Sequence, residues 1–70
     1  MKALVLGSGG REHALAHMLF KSKIISEVFV APGNAGTEEA FTNVPLGVND
    51  FDGIEKFVLS NAVSLVVVGP

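Results

Sequence analysis

The chain has 70 residues, 49% of them hydrophobic, with a formal charge of −2 and no cysteine. That length allows one small domain, and a domain of this size buries only about 60% of its unfolded surface. The acidic balance carries no electrostatic footprint for nucleic acid, and the lack of cysteine excludes disulfides and thiolate metal sites. A mean hydropathy of +0.49 is apolar for so short a domain, which predicts outer faces that pack on further protein. No apolar run approaches the ~20 residues that span a bilayer. The expectation is a soluble, cytoplasmic chain with no membrane and no nucleic acid among its partners.

Ala3 to Leu6 is a short unbroken apolar run, the pattern of a parallel strand covered on both faces, so a first strand is expected over residues 2–6. Gly7-Ser-Gly-Gly10 follows and lets the backbone turn sharply. A helix is expected over 11–21, with Ala14, Leu15, Met18 and Leu19 as its inward stripe. Residues 22–26 return the chain, and Glu27-Val-Phe-Val-Ala31 reads as a second strand rich in β-branched and aromatic residues. It ends in Ala31-Pro-Gly-Asn-Ala-Gly36, a turn-forming cluster.

Thr37-Glu-Glu-Ala-Phe41 can form one helical turn capped by Thr37. Asn43-Val-Pro-Leu-Gly-Val48 alternates like a strand, but Pro45 demotes it to a short or edge strand. A second full helix follows, capped by Asn49 or Asp50, with Phe51, Ile54, Phe57 and Val58 facing inward. Ser64 to Val68 is predicted to be another buried strand. It runs straight into Gly69-Pro70, where a domain would seldom end, so the chain is expected to be part of a longer protein.

This alternation predicts an α/β fold, a Rossmann-like parallel sheet with flanking helices. In such sheets ligands bind beyond the carboxyl ends of the strands. Gly7–Gly10, Pro32–Gly36 and Gly69-Pro70 are therefore expected side by side on one edge.

The glycine turn leading into a helix aims free N–H groups and the positive end of a dipole at one point, an arrangement that suits an anion. It does not match the dinucleotide fingerprint, because Glu12 stands at the third glycine position and Ala31-Pro32 where a ribose-binding acid is needed. No Lys-Ser or Lys-Thr follows the glycines, which excludes a phosphate-binding loop of the Walker type. Arg11 places a cation in the first helical turn against the dipole. Local rules of this kind are most often broken at functional sites, and a phosphate or carboxylate beside Arg11 would explain this one. Glu12 has a plainer reading, since an acid stabilises a helix start.

His13 and His17 have the spacing of a helical zinc pair. The catalytic glutamate of that motif and any further ligand cluster are missing, so they read as surface or supporting histidines. In the 31–36 loop, Asn34 alone can both donate and accept hydrogen bonds toward a ligand, although the loop is also an ordinary strand-ending turn. No catalytic residue and no metal ligand set is expected within this stretch.

Leu6-Gly-Ser-Gly-Gly-Arg-Glu-His-Ala-Leu15, Val30-Ala-Pro-Gly-Asn-Ala-Gly-Thr37 and Leu65-Val-Val-Val-Gly-Pro70 together resemble the start of the phosphoribosylamine–glycine ligases. The resemblance covers residues 1–70 and implies part of the N-terminal, substrate-binding domain of an ATP-grasp ligase of purine biosynthesis. That family joins glycine to 5-phosphoribosylamine with ATP and magnesium (or manganese), which bind in grasp domains outside these residues. It implies that Gly10 and Arg11 contact the ribonucleotide, that Gly9 shapes the loop, and that the Pro32–Gly36 loop flanks it. Those grasp domains are the implied partners of this piece. The alternative from the residues alone is a stand-alone Rossmann-like nucleotide- or dinucleotide-binding module without catalysis.

Overall fold

The structure is a computed structural model that describes residues 1–68. Seven elements follow in order: β1 (Lys2–Gly7), α1 (Gly10–Phe20), β2 (Glu27–Pro32), α2 (Ala35–Ala40), β3 (Thr42–Asn43), α3 (Phe51–Ser60) and β4 (Val63–Val68). Every strand pair is parallel and the sheet order is β3-β2-β1-β4. The expected Rossmann-like α/β layering is thus present. β1 lies at the centre, where the strand order reverses, and its carboxyl end is the place where such sheets bind ligands.

The period-2 alternation of buried strands divides the core into two layers. Ala3, Val5, Val28 and Val30 pack with Ala16, Ile25, Leu19 and Phe41 on the face that carries α1. Leu4, Leu6, Phe29 and Ala31 pack with Val44, Ile54, Phe57 and Val58 on the face that carries α3. The Phe29 and Phe57 rings meet edge to face, with centroids 4.9 Å apart.

Several expectations need correction. The inward stripe of α1 is not Ala14, Leu15, Met18 and Leu19: Ala14 and Met18 are exposed, while Ala16 is fully buried and Leu19 packs beside it. The buried face is rotated by about one 100° residue step. Ala16 is small enough to let the helix approach the sheet closely, whereas Met18 is not.

Thr37 does not cap α2. Asn34 does, and Thr37 occupies the third helical position with its side chain buried. The edge strand is Thr42–Asn43 rather than 43–48, paired with Phe29 and Val30. Beyond it Leu46 N–H donates to the Val44 carbonyl at 2.7 Å, so the chain turns at Pro45, which has no N–H to extend a ladder. Asp50, not Asn49, caps α3 by accepting from Gly53 N–H at 3.0 Å. Phe51 stays exposed, while Leu46, from the preceding loop, packs on the same cluster as Ile54, Phe57 and Val58.

β4 begins at Val63 and is largely exposed rather than buried, with Leu65, Val66 and Val68 open to solvent. Among the described residues it pairs with β1 alone. The expected Gly69-Pro70 strand end lies outside the described residues.

Candidate functional site

The carboxyl ends of β1 and β2 bring the first two glycine-rich loops together, with Gly7 opposite Pro32 in register. Gly33 N–H donates to the Gly7 carbonyl at 3.0 Å and carries the ladder one step past the strands. Both loops therefore stand on the same rigid sheet edge.

Among the described residues, Gly7 and Gly33 are the glycines with positive φ, +142° and +76°. Each also faces a crowded neighbour. A Cβ on Gly7 would run into the Glu12 side chain, and one on Gly33 would run into Asn43 and Thr37. The sequence departure at Glu12 thus has a structural counterpart. A carboxylate side chain lies over Gly7 in the space where a dinucleotide fold keeps glycine against glycine.

Gly9 is the N-cap of α1 and supplies no side-chain cap. The N–H groups of Gly10, Arg11 and Glu12 occupy the first helical positions, where no intrahelical acceptor exists. By contrast, side chains of Asn34 and Asp50 satisfy the first turns of α2 and α3. Arg11 is exposed. The ion pair among the described residues joins Lys2 to Glu27 at 4.0 Å, and it does not involve Arg11. Arg11 adds a cation to the same first turn as these N–H groups, and the Glu12 side chain lies over Gly7.

Asn34 sits in a dense polar cluster. Its Oδ1 accepts from Thr37 N–H at 3.0 Å, and its own N–H donates to Thr37 Oγ1 at 2.8 Å, a reciprocal capping box. Its Nδ2 donates across to the Ser8 carbonyl in the first loop at 2.6 Å. Asn43 Nδ2 donates to the Asn34 carbonyl at 2.8 Å, while Thr37 Oγ1 offers its hydrogen to that carbonyl (2.9 Å) and to Asn43 Oδ1 (2.7 Å). Gly9, Gly10, Arg11 and Asn34 are thereby gathered at adjoining strand ends. The Thr37–Asn43 support was missed by reading the sequence. The three-residue spacing from Asn34 to Thr37 was its available signal, because it is the capping-box interval.

His13 and His17 lie with their Nε2 atoms 3.0 Å apart, one donating to the other, and His17 meets the Phe41 ring edge to face. A Cβ on Gly36 would press on the His13 ring. The pair therefore packs α1 against α2. Among the described residues no three His, Cys, Asp or Glu side chains gather as a metal site. No helix among them is long and apolar enough to cross a membrane.

A family model described as phosphoribosylglycinamide synthetase, N domain, matches residues 1–70. Proteins named phosphoribosylamine–glycine ligase are similar along the whole chain: 54% identity in Xylella fastidiosa, 56% in Xanthomonas campestris and 50% in Escherichia coli. In each case all of this chain is covered, but only 16–17% of the relative's length. With the glycine loop, the asparagine loop and the parallel sheet all in place, this chain belongs to the phosphoribosylglycinamide synthetase N-domain family.

Proposed function

We propose that these residues form part of the N-terminal, substrate-binding domain of an ATP-dependent ligase that joins glycine to 5-phosphoribosylamine in purine biosynthesis, in the cytoplasm. The observation that carries this reading is 50–56% identity, over the whole chain, to proteins named for that activity. Gly9 and Gly10 offer backbone N–H groups, and Arg11 a guanidinium, to the phosphate or hydroxyls of phosphoribosylamine, with Asn34 at the flank. A free N–H and a guanidinium are both donors without acceptors of their own, which is the chemistry such oxygens need.

ATP and magnesium (or manganese) belong to the ATP-grasp domains of the same protein in this reading. The described residues do not fit a metal cage, since they gather no cluster of three ligating side chains. ATP supplies the activation of the glycine carboxylate there. The part played by this chain is to hold the amine substrate in position.

The full-length protein that carries these residues should release ADP only when glycine and phosphoribosylamine are both supplied. Residues 1–70 alone should release none, because activating a carboxylate needs metal and phosphate-clamping groups. A coupled ADP assay on both proteins tests this. ADP formation by the full-length protein that ignores phosphoribosylamine, or turnover by the short chain, would contradict the reading.

A further inference from the structure

We infer that Asn34 is a positioning residue: by holding the Ser8 carbonyl, its side-chain amide sets the direction of the Gly9 N–H offered to the substrate. The inference rests on the function proposed above and adds the means by which the second loop serves the first. The Ser8 carbonyl and the Gly9 N–H belong to one planar trans peptide, so they point to opposite sides of the chain. Asn34 Nδ2 donates to that carbonyl at 2.6 Å. Fixing the oxygen toward the asparagine loop turns the Gly9 N–H away from that loop.

No other hydrogen bond among the described residues reaches the Ser8 carbonyl or the Gly9 N–H. The Gly33–Gly7 hydrogen bond ends the backbone ladder one residue earlier. Ser8, Gly9 and Gly10 are all exposed, and two of the three are glycines with wide backbone freedom. Asn34, in turn, has no freedom of its own. Its Oδ1 accepts from Thr37 N–H, so a flipped amide would set N–H against N–H and oxygen against the Ser8 oxygen. Thr37 is fully buried and Asn43 closes on the Asn34 carbonyl. The rigidity of a buried threonine is thereby passed through Asn34 to an exposed glycine loop.

Two substitutions separate this role from capping. Asn34→Asp and Asn34→Ser both keep an oxygen acceptor for Thr37 N–H, and all three residue types cap helices well. Aspartate has no donor for Ser8. Serine is shorter by one heavy atom and adds no charge, so an effect shared by both variants is not electrostatic. In the full-length protein both should keep the melting temperature within about 3 °C, as the caps are near-equivalent. Amide hydrogen exchange at Gly9 and Gly10, without ligand, should accelerate at least ~5-fold as local opening becomes easier. The KM for phosphoribosylamine should rise ~10-fold, the size of one lost hydrogen bond, while those for ATP and glycine stay put.

A raised phosphoribosylamine KM with unchanged exchange would mean that Asn34 touches the substrate itself, and would overturn the inference. So would an unchanged KM. If wild-type protein shows no phosphoribosylamine-dependent turnover, the proposed function fails and this inference falls with it. If wild type turns over and only the variants behave unexpectedly, the positioning role alone fails.

Discussion

Gly7→Ala in the full-length protein should lower the stability of this domain by about 2–6 kcal/mol. Two causes add. Gly7 has φ +142°, a region that side-chain-bearing residues occupy only at a cost of about 1–3 kcal/mol. The added carbon would also collide with Glu12, and overpacking typically costs a further ~1–3 kcal/mol. The two causes can be separated. Glu12→Ala removes the obstacle but leaves the backbone strain, so Gly7→Ala/Glu12→Ala should recover about half of the lost stability. Thermal melts of the two single variants and the double variant read this as a cycle. Full recovery would show that φ at Gly7 carries no strain, and no recovery would show that Glu12 moves aside freely.

Arg11→Ala should do the opposite, sparing the fold and damaging binding. Arg11 opposes the dipole of α1 at a cost of about 0.3–1 kcal/mol. It is exposed and its side chain makes no ion pair among the described residues. Removing it should leave the melting temperature unchanged or slightly higher. Losing a charge-assisted hydrogen bond to the substrate costs about 1.5–3 kcal/mol, so the KM for phosphoribosylamine should rise ~10–100-fold. The KM for ATP should hardly move if ATP binds in other domains, as the proposed function has it. A lower melting temperature with both constants raised together would instead make Arg11 a structural clamp.

The central features of the fold were legible because they depend on local pattern. Ala3–Leu6 and Val28–Ala31 are unbroken apolar runs, and both are buried strands. Gly7–Gly10 and Pro32–Gly36 announce turns by composition alone, and they meet at one sheet edge. Asp50 was one of two caps proposed for α3, and the helix follows it directly. What failed depends on tertiary neighbours. The rotation of α1 is set by Ala16 against the sheet and Glu12 over Gly7, and neither contact exists in the sequence period. β4 has the composition of a buried strand, and its exposure reflects which described elements cover its faces, which composition does not record. Phe51 matches the helical period, yet it stays exposed, and Leu46 from the preceding loop joins the core beside Ile54 and Phe57.

The candidate site divides the same way. Gly9, Gly10 and Arg11 stood out because glycines and a misplaced cation break local rules. Asn34 stood out as a polar residue in a turn, but its bonds to Ser8, Thr37 and Asn43 join three chain segments that no spacing rule connects as a set.

The central claim is that the joined loops at the ends of β1 and β2 hold the phosphoribosyl substrate. Amide hydrogen exchange on the full-length protein, with and without the reaction product glycinamide ribonucleotide, tests it most directly. The ribonucleotide should slow exchange at residues 9–12, whose N–H groups lack acceptors in the free helix start, by ~10-fold or more. ATP alone should leave them unchanged. Protection by the ribonucleotide that appears only outside residues 7–12 and 33–37 would contradict the account.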